Sequence, residues 1–197
     1  SQVTKVLKGS EKIEMVCGVE PVPAIAQKYT ETYGLPVHAD YQTALDDPAV
    51  EAVILTIPHR LHEDALLRAV AAGKQVFCEK PLSLDVGSGR RMIEACDRAG
   101  IVLGIGHERR FEPAWEEMKR MADAGELGTI LHMEAHWSHE RWLNMAADNW
   151  RGSKEEAPAA GWTGMGVHLS DMMLSLVQPV VEVQAHTAKR ILAIPTG

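Results

Sequence analysis

A chain of 197 residues, 46% of them hydrophobic, can bury one good core, or one domain and part of another. A net charge of −7 without a long Lys/Arg cluster argues against a nucleic-acid surface, and no segment has the apolar length that spans a bilayer. Three scattered cysteines (Cys17, Cys78 and Cys96) form neither a disulfide framework nor a metal spacing, and read as small core residues in a reducing cytoplasm.

Val3, Val6 and Leu7 read as the end of a helix, and residues 13–19 as a strand closed by Glu20. In a dinucleotide-binding unit an acidic residue ends the second strand about 20 residues beyond a glycine-rich turn. That spacing places the first strand and its glycines before Ser1; a domain that simply opens with a helix is the other reading. A helix through Ile25, Ala26 and Tyr29 follows and closes at Gly34. Strand 51–57 is stopped by Pro58, and its helix carries Ala65, Leu66, Ala69 and Val70 as far as Gly73. Strand 75–78 leads to Lys80; a helix with Met92, Ile93 and Cys96 ends at Gly100, before strand 101–105. The strands are continuous apolar runs, which suits a parallel sheet covered on both faces. Right-handed crossovers then predict an α/β, Rossmann-type doubly wound domain over residues 1–106.

The pattern changes over residues 107–197, which read as a second, α+β domain. Helix 113–124 is expected to bury Trp115, Met118 and Met121; strand 130–138, an irregular stretch 141–161, helix 165–177 and strand 180–187 follow. Two strands do not make a stable sheet alone, so this domain reads as unfinished at Gly197.

The polar residues that stand out sit where strands end, and open parallel sheets bind ligands on that edge. Lys80 is held on a corner by Pro81, which stiffens the turn; a surface lysine capping a strand is the alternative. Pro58, His59 and His62 occupy the preceding corner, where both histidines also suit plain turn and helix-start positions. His107, Glu108, Arg109 and Arg110 occupy the following one. In the second half, Gly164, His168, Asp171 and Ser175 share one helical face, and Met165, Leu169, Met172 and Leu176 the core stripe. Asp171 is expected to orient His168 as a proton carrier, or the two simply bond each other at a domain contact. His132 and His136 lie too far apart along a strand to share a metal ion, even with His139 nearby, so no metal site is assigned.

In this order and spacing the motifs resemble the Gfo/Idh/MocA (glucose-fructose oxidoreductase, inositol dehydrogenase, rhizopine catabolism) family. The matching pieces are Ile57 to His62; Glu79, Lys80 and Pro81; His107 to Pro113; Gly125 to Gly128; and Gly166 to Asp171. The resemblance implies a nicotinamide-dependent dehydrogenase acting on a sugar, polyol or related hydroxy compound, with a second-domain sheet that is open, mostly antiparallel and commonly makes a homo-oligomer contact. It implies Lys80 and His168 as catalytic residues. Glu20, Pro58, His62, Glu79 and Lys80 fall at the cofactor, and His107, Arg109 and Asp171 at or behind the substrate. Glu20 followed by Pro21 favours NAD over NADP. A small-molecule substrate is implied, with neither nucleic acid nor membrane as partner. The chain departs from the family pattern at Gly164, where an aspartate is frequent, and in lacking the glycine-rich turn. A non-catalytic dinucleotide-binding regulator of the same fold is the alternative function.

Overall fold

The computed structural model describes residues 2–138, 140, 143, 146, 149–159, 161–177 and 179–188. Helix α1 (Gln2–Leu7) precedes strand β1 (Gly18–Val19), α2 (Pro23–Tyr33), β2 (Val37–His38) and α3 (Tyr41–Asp46). Then come β3 (Ala52–Leu55), α4 (His62–Ala71), β4 (Gln75–Cys78), α5 (Val86–Ala99) and β5 (Leu103–Ile105). Every ladder among the described residues is parallel: β1 pairs with β2, and β3–β4–β5 form a second sheet with Leu55 opposite Cys78 and Cys78 opposite Ile105.

Local chemistry sets these boundaries. Asp40 and Asp85 cap α3 and α5 by accepting the N–H groups of Gln42 and Ser88. Gly100 ends α5 at φ 66°, a left-handed conformation that L side chains resist, and the chain turns straight into the approach to β5. Of the run 13–19 only Gly18 and Val19 enter a ladder among the described residues, opposite the two residues of β2.

The core lies beneath β3–β4–β5, where α4 and α5 bring Leu66, Ala69, Met92 and Cys96 against Val53, Leu55, Val76 and Cys78. Two successive right-handed crossovers running the same way place both helices on one face. The other face is less covered than the continuous apolar runs predict: Ile54, Phe77 and Ile105 stay exposed while their neighbours in sequence are buried or half-buried.

Beyond β5, α6 (Pro113–Asp123) packs against α7 (Val167–Leu176). The expected stripe on α6 is shallower than its periodicity suggests, with Met118 exposed and Trp115 only half-buried. On α7 the buried residue is His168, whereas Leu169, Met172 and Leu176 are half-buried. Residues 130–138 and 179–187 form no ladder among the described residues; Leu131 and Val181 are 90% and 94% exposed. Extended backbone without a partner strand has no cross-strand bonds to hold it as a sheet. Among the described residues no helix is long and apolar enough to cross a membrane.

Candidate active site

Lys80 stands at the carboxyl end of the middle strand, and its neighbours pin the corner. Glu79 donates its N–H to the Leu55 carbonyl at 3.0 Å, and Gly106 donates to the Cys78 carbonyl at 2.9 Å. The Lys80–Pro81 peptide is cis. His62, fully buried at the start of α4, sets one ring nitrogen 3.0 Å from the Pro81 carbonyl and the other 3.1 Å from that of Ile57. It therefore staples the two corners together from below. Lys80 Nζ reaches across to donate to the Gly164 carbonyl at 2.7 Å. Burial lowers the lysine's pKa, with Arg151 and Arg109 adding to the effect and Glu79 and Glu108 opposing it.

The Gly164 carbonyl belongs to a single π-helical turn, Trp162–Gly166, that feeds α7. Such bulges occur disproportionately at functional sites. Two residues further on, the His168 ring is 3% exposed, with Nε2 4.0 Å from Glu108 Oε1 and Nδ1 without a hydrogen-bond partner among the described residues. Burial, then the positive charge of Lys80, hold its pKa below the usual imidazole value. The rings of His107 and Trp137 each lie 6.2 Å from it. Arg109 stacks over Trp137 at 5.2 Å and pairs with Glu112, and its buried Nε has no hydrogen-bond partner among the described residues.

Asp171 does not orient His168. Its carboxylate takes two hydrogen bonds from Arg110, at 2.7 and 2.6 Å, and lies 3.6 Å from His107 Nδ1. A bidentate guanidinium is a stronger partner than an imidazole one turn away, so helical spacing alone misassigned the pair. Glu20 stands at the carboxyl end of β1, in the two-stranded sheet, where one carboxylate oxygen accepts the Val22 N–H at 2.9 Å. Pro58 is half-buried and leads into the 3-10 turn His59–Leu61. Among the described residues no group of three His, Cys, Asp or Glu is arranged to hold a metal; His139 lies outside them.

Several site residues carry no clear sequence signal. Glu156 sits in a polar run, Lys154 to Glu156, that reads as solvated surface, yet it is buried against His59 and Arg60. Trp150 lies edge-on to His59 at 5.1 Å, and Arg151 stacks on Trp150 at 4.1 Å. A cleft of about 170 Å³ beside the lysine corner is lined by Pro81, Ser83, Leu84, Pro158, Trp162 and Thr163. Neither this cleft nor a larger one of about 670 Å³, between α6 and α7, includes Lys80 or His168 in its walls. The smaller cleft adjoins the reacting groups through Pro81 and the π-helical turn, next to which the depressed proton affinities of Lys80 and His168 lie.

Residues 1–107 match the sequence model of the Gfo/Idh/MocA family, described as an oxidoreductase family with an NAD-binding Rossmann fold. The chain belongs to this family. Residues 115–194 match the model of the Gfo/Idh/MocA C-terminal domain. Inositol 2-dehydrogenase 2 of Saccharopolyspora erythraea is 35% identical over 162 residues, 81% of this chain and 45% of that protein. The NAD(+)-dependent scyllo-inositol 2-dehydrogenase of Bacillus subtilis is 34% identical over 120 residues, 60% of this chain and 35% of that protein. Among solved structures, a protein from Desulfitobacterium hafniense described as an NADPH-dependent oxidoreductase superposes with a TM-score of 0.82 at 29% identity, covering 89% of this chain and 51% of that one. This family member thus spans less than half the length of these two curated relatives.

Proposed function

We propose that this chain forms the Rossmann segment and part of the substrate wall of an NAD-dependent dehydrogenase that oxidises a carbinol carbon of a polyol. The observation that carries the reading is the meeting of Lys80 Nζ with the Gly164 carbonyl, beside a buried His168 whose affinity for protons is reduced. The curated relatives named as inositol dehydrogenases make inositols the first substrate class to try.

The sheet edge suits a dinucleotide: Glu20 uses one oxygen on Val22 N–H and keeps the other for a ribose hydroxyl, while its charge disfavours a 2′-phosphate. Bound NAD supplies the hydride acceptor. Lys80 Nζ takes the proton of the reacting hydroxyl, which a free lysine, titrating near about 10.4, would do poorly at neutrality. His168 is the second carrier, and its Nδ1, without a hydrogen-bond partner among the described residues, is the ring nitrogen left to receive that proton. His107 and Arg109 line the same wall; Asp171 acts behind it by holding Arg110. Pro58, His62 and Glu79 shape the cofactor edge without a proton role. Copies of the chain associate through the second segment, where Leu131 and Val181 await cover, and light scattering on the intact protein reads the assembly.

The deciding experiment is NAD reduction by the intact protein with a panel of inositols, sugars and linear polyols. Turnover that disappears in Lys80→Ala supports the dehydrogenase. Tight NAD binding without turnover of any panel member would replace it with a cofactor sensor, and tighter binding of NADP than NAD would reverse the cofactor assignment.

A further inference from the structure

A carboxylate almost closed off from water needs partners, because an uncompensated buried charge is costly. Glu156 is 3% exposed, and one residue engages both of its oxygens: Oε1 lies 2.9 Å from Arg60 Nε, and Oε2 accepts the Arg60 backbone N–H at 3.1 Å. The Glu156 carbonyl accepts a hydrogen bond from His59 Nδ1 at 2.6 Å, which also fixes that tautomer. With Trp150 edge-on to the same imidazole, the strap 149–159 is fastened at two points to the turn that follows β3.

The strap's other end controls the reacting groups. Ala159 donates its N–H to Thr163 Oγ1 at 3.0 Å, and Thr163 lies in the π-helical turn that offers the Gly164 carbonyl to Lys80 and continues into His168. One covalent run thus links the Arg60 clamp to the wall facing Lys80. The Arg60 side chain is 64% exposed, so water and salt screen the ion pair itself. The directional elements are the bond to the Arg60 backbone N–H and the His59 bond.

We propose that Glu156 is a positioning residue for the reaction at Lys80: clamped onto Arg60 and His59, it holds the strap so that the Gly164–His168 wall closes over the lysine. The inference rests on the dehydrogenase reading. Release of the strap takes away the charge of Arg151, which the strap carries, and loosens the Gly164 turn that covers the amine; that charge and burial both depress the lysine's pKa. Arg109, Glu79 and Glu108, which also act on Lys80, and His59 and His168, whose titrations Lys80 influences, do not lie on it.

The test compares Glu156→Gln, which keeps one side-chain acceptor oxygen, with Glu156→Ala, which keeps none; the main-chain carbonyl that accepts from His59 survives in both, so the readout isolates the clamp on Arg60. With myo-inositol and NAD as probes, Glu156→Ala should lower kcat by about tenfold or more, while the Kd for NAD changes by less than about twofold. The acid limb of its kcat/KM profile should move upward, toward the ordinary lysine value, and Glu156→Gln should fall between Ala and wild type on both readouts. A lower melting temperature with kcat and the limb unchanged would reduce Glu156 to a loop tether and overturn the proposal. Side-chain NMR of labelled lysines reads the Lys80 titration without turnover. A Lys80 pKa unmoved in Glu156→Ala overturns the inference even if wild type is active, whereas an inactive wild type with a shifted Lys80 overturns only the dehydrogenase reading.

Discussion

Lys80 is half-buried, with Nζ bonded to the Gly164 carbonyl of the π-helical turn. Burial is the strongest influence on its proton affinity and outweighs Glu79 and Glu108, whose pull Arg151 and Arg109 oppose more weakly. For a cation, burial favours the neutral form, so the amine becomes a base at a lower pH than a free lysine. The kcat/KM profile of the wild type is therefore expected to rise with pH and level off below about 10.4, the unperturbed value. A limb at or above that value would show that the side chain titrates like an exposed lysine. In the core, Met92 is fully buried between α4, α5 and the sheet. Met92→Ala should cost about 2–5 kcal/mol in denaturant unfolding, the range for truncating a large side chain in a site that collapses only partly.

Among the elements, α5 and the π-helical turn illustrate two different demands for glycine. Gly100 needs its left-handed φ of 66°, and an added Cβ there meets nothing within 4 Å. The cost of Gly100→Ala is then conformational alone, about 1–2 kcal/mol, and should appear as a lower unfolding midpoint with activity per folded molecule unchanged. Gly166 has ordinary helical angles, but a Cβ on it would run into the Trp162 ring. Gly166→Ala must push that ring away and disturb the turn that carries Gly164. It should lower turnover more than it lowers stability; equal activity per folded molecule in the two alanine variants would contradict this. Asp85, whose carboxylate accepts the Ser88 N–H at 2.8 Å, gives a plain reference point. Asp85→Ala should cost about 0.5–2 kcal/mol, as for other lost caps, without touching the pH profile.

At the scale of the whole molecule, burial holds His59 and His168 neutral, and Lys80 pushes both in the same direction. The unfolded chain binds protons at these sites from about pH 6.5 downward, whereas the folded chain resists until lower pH. Their contribution to stability is thus complete above about 6.5 and declines as pH falls from there toward the lower folded values. Melting curves across this window should show a smaller loss for a His59→Gln, His168→Gln double variant than for wild type. Subtracting the variant's curve removes the carboxylate titrations common to both.

Much of the Rossmann segment is legible from short-range chemistry. Apolar runs of strand length, glycine stops at Gly34, Gly73 and Gly100, and a proline behind Lys80 are local facts, and local facts survive folding. The two-residue β2 and the brief α3 are too short for periodicity to register, although Asp40 as an N-cap marks the latter. Lys80 and His168 stand out because unusual residues at strand ends and on a glycine-flanked helix can be recognised one element at a time. Glu156 cannot be found that way: nothing in Lys154, Glu155 and Glu156 distinguishes the buried carboxylate from its solvated neighbour. Nor can the choice Asp171 makes between His168 and Arg110, which depends on where a turn 61 residues earlier comes to rest. Sequence by itself determined the longer helices and strands of residues 1–106 and where polar groups collect at strand ends, because backbone conformation is settled within a few residues. Tertiary structure alone decided who partners whom across the cleft, because a charge or carbonyl takes whichever donor packing brings within about 3 Å.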